Sequence, residues 1–199
     1  MKTVTVQSGV LTDTIWPNAS IVRDAILVLG GSLLIALSAQ LVIPLPFSPV
    51  PITGQTFAVL LLAALLGSKR GLATIVTYLA LGLFGLPVFA GGAAGIARLV
   101  GPTAGYLMGY LPAAFVVGSL SERGWDRRLW STALTMIVGN AIIYLTGALW
   151  LQAFVGPGGV LETGVLPFIP GDLLKIALAT LILPLTWRFV GPRRARGSA

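Results

Sequence analysis

Three ionisable residues stand apart from the other charges of this 199-residue chain. Asp172 and Lys175 lie three positions apart near the start of an apolar stretch running from about Gly171 to Arg188, and Arg98 follows the glycine-rich segment Gly91-Gly92-Ala93-Ala94-Gly95. At i and i+3 a carboxylate and an ammonium share one helix face. A charge inside an apolar helix is costly and faces a bundle interior or a water-filled cavity. One acid acceptor and two cationic donors suit a small ligand with an anionic end, a polar donor end and an apolar middle. Other readings stand beside this one. The pair can simply neutralise itself, the lysine can snorkel to an interface, and a carboxylate near a helix start is favoured in any case. Arg98 also reads as an interfacial arginine at a helix start. Asn140 and Tyr144, at i and i+4 in a further apolar stretch, add polar groups on one face, and Asn140 serves equally as interhelical glue. Phe47, Phe89 and Phe168 are expected nearby.

Several chemistries lack their residues. The chain has no histidine and no cysteine, so zinc sites and imidazole acid–base catalysis lose their usual groups. No metal and no cofactor are expected. No serine stands beside a plausible base. The nearest approach to a nucleotide-binding loop is Gly67-Ser68-Lys69-Arg70-Gly71, which lacks the required spacing and reads as a turn. An enzyme is therefore not expected, and any ATP-derived energy must come from a partner.

The elements that position these residues are set by a bilayer. Hydrophobic residues make up 56% of the chain and charged residues 10%, against about a quarter charged in soluble domains. The mean hydropathy is +0.93 and the pI about 10.6. The cations are too dispersed for a nucleic-acid surface, and the composition excludes a disordered chain. The first twenty residues hold one lysine and no apolar core, so no cleavable signal peptide is expected.

Gaps between charges delimit the spans. None occurs between Asp24 and Lys69, about twice the ~20 residues that cross a membrane, and Pro44, Pro46, Pro49 and Pro51 divide that run into two spans and a stiff extended loop. Six transmembrane helices result: about 24–43, 54–68, 71–86, 99–121, 129 to a stop before Gly156, and 171–188. The expectation is an all-α membrane protein, one integral domain over 1–199, with a flexible segment over about 1–20 and a basic tail over about 189–199. With both termini cytoplasmic, all cations except Arg98 and Lys175 fall inside, which places these two with Asp172 in the outer half. Ser32, Ala36 and Gln40 form a small-residue stripe on the first span, and Gly105 and Gly109 repeat the spacing; such stripes let helices approach closely, more often inside one bundle than against another subunit. The two halves of the chain are not similar, which argues against an inverted-repeat secondary carrier.

Three motifs carry a resemblance. Ile43-Pro44-Leu45-Pro46-Phe47-Ser48-Pro49-Val50-Pro51-Ile52-Thr53 followed by Gly54-Gln55-Thr56, then Gly101-Pro102-Thr103-Ala104-Gly105-Tyr106-Leu107, then Pro167-Phe168-Ile169-Pro170-Gly171-Asp172-Leu173-Leu174-Lys175 together resemble the BioY family. These are biotin-specific substrate-binding (S) components of energy-coupling factor (ECF) transporters, and the similarity runs from about 25 to 190. The resemblance implies a six-helix S-component bundle in a prokaryotic cell membrane that binds biotin from outside, beneath the first loop. It implies as partners a transmembrane coupling protein and a pair of ATPase subunits, although some members occur without dedicated partners. Asp172 and Lys175 match the family's Gly-Asp-x-x-Lys motif, and Gln55 joins the ligand-binding set through the first motif. The small face Ser32, Ala36, Gln40 is implied as the docking face, with Ser32 departing from the family's Ala-x-x-x-Ala. An S component for a different vitamin and an autonomous carrier or channel are the alternatives.

Overall fold

The computed structural model describes residues 9–190. In chain order its helices are α1 (Leu11–Ile15), α2 (Ile21–Ala39), α3 (Gln55–Leu66), α4 (Ser68–Leu83), α5 (Ile96–Val100), α6 (Ala104–Glu122), α7 (Leu129–Val155), α8 (Val160–Gly164) and α9 (Ile169–Val190). The proline-rich loop after α2 is closed by an antiparallel ribbon, β1 (Val42–Ile43) with β2 (Ile52–Thr53), in which Val42 faces Thr53 and Ile43 faces Ile52. The long elements fall within a few residues of the six expected spans. Only four stretches among the described residues are long and apolar enough to cross a membrane unaided: α2, α6, α7 and the run Pro157–Val190 that ends in α9. With 12 residues in α3 and 16 in α4, these two extend roughly 18 and 24 Å, short of the ~30 Å hydrocarbon core.

α6 is the central helix, packed against α3, α4 and α7. Glycine makes its contact with α7 possible: a Cβ on Gly105 would sit 2.6 Å from the Thr146 carbonyl oxygen, and one on Gly109 would sit 3.2 Å from Ile143 Cα. The Gly105–Gly109 stripe is therefore an internal packing face. α3 and α4 meet at Gly67, whose φ of +84° lies where side chains are disfavoured. Glu122 of α6 closes this corner, accepting from Ser68 N at 2.7 Å and Ser68 Oγ at 2.8 Å, so a carboxylate meets the positive end of α4.

Two expectations are corrected here. The segment expected to be flexible up to about residue 20 holds a docked helix, α1: Thr12 Oγ1 donates to Leu65 O at 2.8 Å, and Asp13 accepts from Arg23 and, at 2.9 Å, from Arg70. Burial pushes the Asp13 carboxyl up, but these two guanidiniums outweigh it and hold the group below its ordinary range. Of the stripe Ser32, Ala36, Gln40, only Gln40 is exposed, and the two small residues do not form an outer face. Ser32 is fully buried and Ala36 nearly so, with Ser32 Oγ bonded to Val28 O and reaching Thr74 O of α4, while Gln40 is tied to Ala36 O, Phe89 O and Gly92 N. Small residues here bring α2 against α4, and the exposed side of α2 carries Ile26, Leu29, Leu33 and Leu37 instead. The basic tail beyond Val190 lies outside the described residues.

Candidate ligand-binding site

One end of the bundle gathers the starts of α3, α6 and α9, the β1–β2 ribbon and the segment around Phe89 and Arg98. The opposite end carries Lys69, Arg70, Arg123, Arg128 and Arg188. Between the elements of the first end lies a cavity of about 640 Å³, counting its open mouth. The ribbon loop covers it and is pinned by Ser48 Oγ, which donates to Thr163 O of α8 at 2.6 Å. Phe89 stands edge-on to Tyr78 and Phe168 tilts against Tyr106, with centroids 5.6 and 6.5 Å apart. Phe89, Tyr106 and Phe168 supply the apolar walls, and Tyr78 backs Phe89 from outside the lining. Phe47 does not join them: it is exposed on the loop.

The polar wall is built around Asp172, 5% exposed in the first turn of α9. Its Oδ1 accepts from Lys175 Nζ at 2.8 Å and from Thr56 Oγ1 at 3.3 Å, and its Oδ2 accepts a short bond from the Tyr144 hydroxyl. Lys175 Nζ also donates to Thr53 O at 2.9 Å and Thr56 Oγ1 at 2.8 Å. An ammonium has three donors, and all three are used. Asp172 Oδ2 keeps a lone pair for a further donor. Gln55 also lines the cavity, held by a bond from its amide to the Tyr78 hydroxyl at 2.6 Å.

Arg98 stands differently. It lines the same cavity, half-buried in α5, and the single hydrogen bond of its side chain among the described residues is a long one of 3.4 Å to Ala90 O. Thr103, which precedes α6 and makes no side-chain cap bond, lines the cavity as well. Of the residues predicted for the site, Asp172, Lys175, Arg98, Tyr144 and Gln55 all line this cavity. Asn140 does not. It borders a separate, water-sized space behind Thr56 and Lys175, and its amide bonds back to Met136 O at 3.1 Å. Sequence reasoning missed Thr53, Thr56, Thr103, Tyr106 and Tyr110. Tyr106 and Tyr110 carried a signal in their i, i+4 spacing within an apolar span; Thr53 and Thr56 carried none beyond flanking Gln55.

A bundle of apolar helices with an aromatic-walled, charge-bearing cavity at one end defines a multi-pass membrane protein with a site for a small polar-ended ligand. The sequence model of the BioY family matches residues 6–192. The chain belongs to this family. Among its relatives, a probable biotin transporter BioY of Pyrococcus horikoshii is 43% identical over 140 residues, covering 70% of this chain and 82% of that one. A biotin transporter BioY of Rhodobacter capsulatus is 42% identical over 169 residues, covering 77% and 87%. The solved structure of the S-component for biotin from an ECF-type ABC transporter superposes with a TM-score of 0.74 at 27% identity, covering 90% of this chain and 96% of that one.

Proposed function

We propose that this chain binds biotin and serves its uptake as the S component of an ECF-type transporter in a prokaryotic cell membrane. The observation that carries the reading is the division of charge in the cavity: Lys175 is fully committed to Asp172, Thr53 and Thr56, whereas Arg98 is open. Biotin divides in the same way. Its ureido N–H groups suit the remaining lone pair of Asp172, its bicyclic ring suits the aromatic walls, and its carboxylate suits Arg98 with Thr103 beside it. In this assignment α2, α3, α4, α6, α7 and α9 all cross the bilayer, with α3 and α4 shielded by neighbours where they are too short. The cation-rich end lies in the cytoplasm and the cavity opens outside. A transmembrane coupling protein and ATPase subunits supply the energy.

Calorimetry on the purified protein tests the assignment. Biotin binds; biotin methyl ester, which lacks the anion, binds at least about tenfold more weakly, since losing a partner of a desolvated charge contact costs on the order of 2–5 kcal/mol. Arg98→Gln removes that discrimination. No heat and no co-purified biotin by native mass spectrometry would refute the biotin reading. Equal binding of acid and ester would refute the role of Arg98 alone.

A further inference from the structure

The chain has four tyrosines, and three of their hydroxyls are engaged within the protein. Tyr78 donates to Val88 O at 3.2 Å and accepts from Gln55, Tyr106 donates to Gly164 O at 2.7 Å, and Tyr144 donates to Asp172. Tyr110 differs. It is 3% exposed in the middle of the bundle, lines the ligand cavity, and its hydroxyl has no hydrogen-bond partner among the described residues. Buried phenols normally find a partner, and the Tyr110 hydroxyl, which is not sealed off within the protein, is left open to the cavity. Tyr110 lies one turn beyond Tyr106 on α6, and it shares the lining of the cavity with Asp172.

We propose that the Tyr110 hydroxyl is a specificity-determining donor that reads the carbonyl oxygen of the ligand's urea group. The proposal rests on the biotin reading above. A urea presents two N–H donors and one acceptor oxygen in a single plane, and a carboxylate alone recognises only the donors. Asp172 accepts, with its other contacts to Lys175, Thr56 and Tyr144 holding it in place. Tyr110 then supplies the donor that a site built from Asp172 lacks, because every Lys175 donor is consumed within the protein. A site whose polar groups are matched at both functions rejects analogues that lack one of them.

The test is Tyr110→Phe, which removes one oxygen and keeps the ring. In the ligand-free protein this variant is at least as thermostable as the wild type, because the lost hydroxyl bonded nothing in the protein. Its affinity for biotin and for desthiobiotin, which keeps the urea and lacks the sulfur, falls roughly tenfold or more. Its affinity for 2-iminobiotin at neutral pH, where a guanidinium replaces the urea and offers no acceptor, changes less than about twofold. Unchanged biotin affinity overturns the proposal, as does an equal loss for all three ligands or a destabilised ligand-free variant, either of which makes the hydroxyl structural. A loss for biotin but not for desthiobiotin assigns the contact to sulfur and also overturns it. If the wild type binds none of the three, the biotin reading fails and this inference falls with it.

Discussion

Lys175→Met separates what the Asp172 cluster does for the fold from what it does for the ligand. Methionine keeps the apolar stem but deletes the ammonium, and with it the bonds of 2.8 Å to Asp172, 2.8 Å to Thr56 and 2.9 Å to Thr53. The Asp172 carboxylate, its side chain 6% exposed, is left with Thr56 and Tyr144 and without a cation. Removing one partner of a fully buried pair costs about 3–5 kcal/mol. Because the Lys175 side chain is 20% exposed, solvent recovers part of this, and roughly 2–3 kcal/mol is the expected loss. For a chain of this length that is a fall in Tm of about 5–10 °C, read by thermal unfolding in detergent. The double variant Asp172→Leu with Lys175→Met removes both charges and regains most of the stability, since apolar replacement of a buried pair is close to neutral. Biotin binding is lost in both variants. A single variant as stable as the wild type would show that the ammonium does not compensate Asp172. A double variant less stable than the single one would show that the two charges are not coupled.

Three further outcomes are expected. The native chain has no cysteine, so cysteines at the exposed positions Lys69 and Arg123 are protected from an impermeant thiol reagent in intact cells, while cysteines at exposed Phe47 and Glu162 react; the inverse pattern would overturn the orientation. Asp126, buried at the cation-rich end, accepts from Trp187 Nε1 at 2.6 Å through one oxygen while the other has no partner among the described residues, and burial, outweighing the Trp187 bond and the Arg127 charge, pushes its carboxyl up to about 6. The folded state thus holds a proton between about pH 4 and 6 that the unfolded state has released, so stability falls by up to about 3 kcal/mol as pH rises through that window, and Asp126→Asn flattens the profile and raises the Tm at neutral pH; a profile unchanged by the substitution would count against it. Gly109→Val drives a side chain into Thr146 and the Ile143 backbone and lowers the yield of monodisperse protein with a cost of about 1–3 kcal/mol or more, whereas Gly30→Ala, which meets nothing within 4 Å, leaves it unchanged.

What was legible in the sequence followed charge. An apolar run marks a helix without saying which way each side of it faces, but a carboxylate and an ammonium three residues apart in such a helix must face inward together. The types and spacing of Asp172 and Lys175 were therefore enough to point to the cavity, and the long uncharged runs marked where helices start and stop. Packing direction was not legible. Ser32, Ala36 and Gln40 have the composition of an interface whether the neighbour is α4 or another chain, because close approach asks only for small residues; that the neighbour is α4 emerges only from the packing of the bundle. The two candidate cations were likewise equivalent in sequence. Their difference lies in Thr53 and Thr56, unremarkable residues on the far side of a proline-rich loop, which take the two donors of Lys175 that Asp172 does not and leave Arg98 as the open one. The same accounting of partners separates Tyr110 from the other three tyrosines. In a bilayer-embedded bundle with few polar groups, the residues that face a ligand are those whose hydrogen-bonding capacity the protein itself leaves unfilled, and that remainder exists only once every partner has been placed in space.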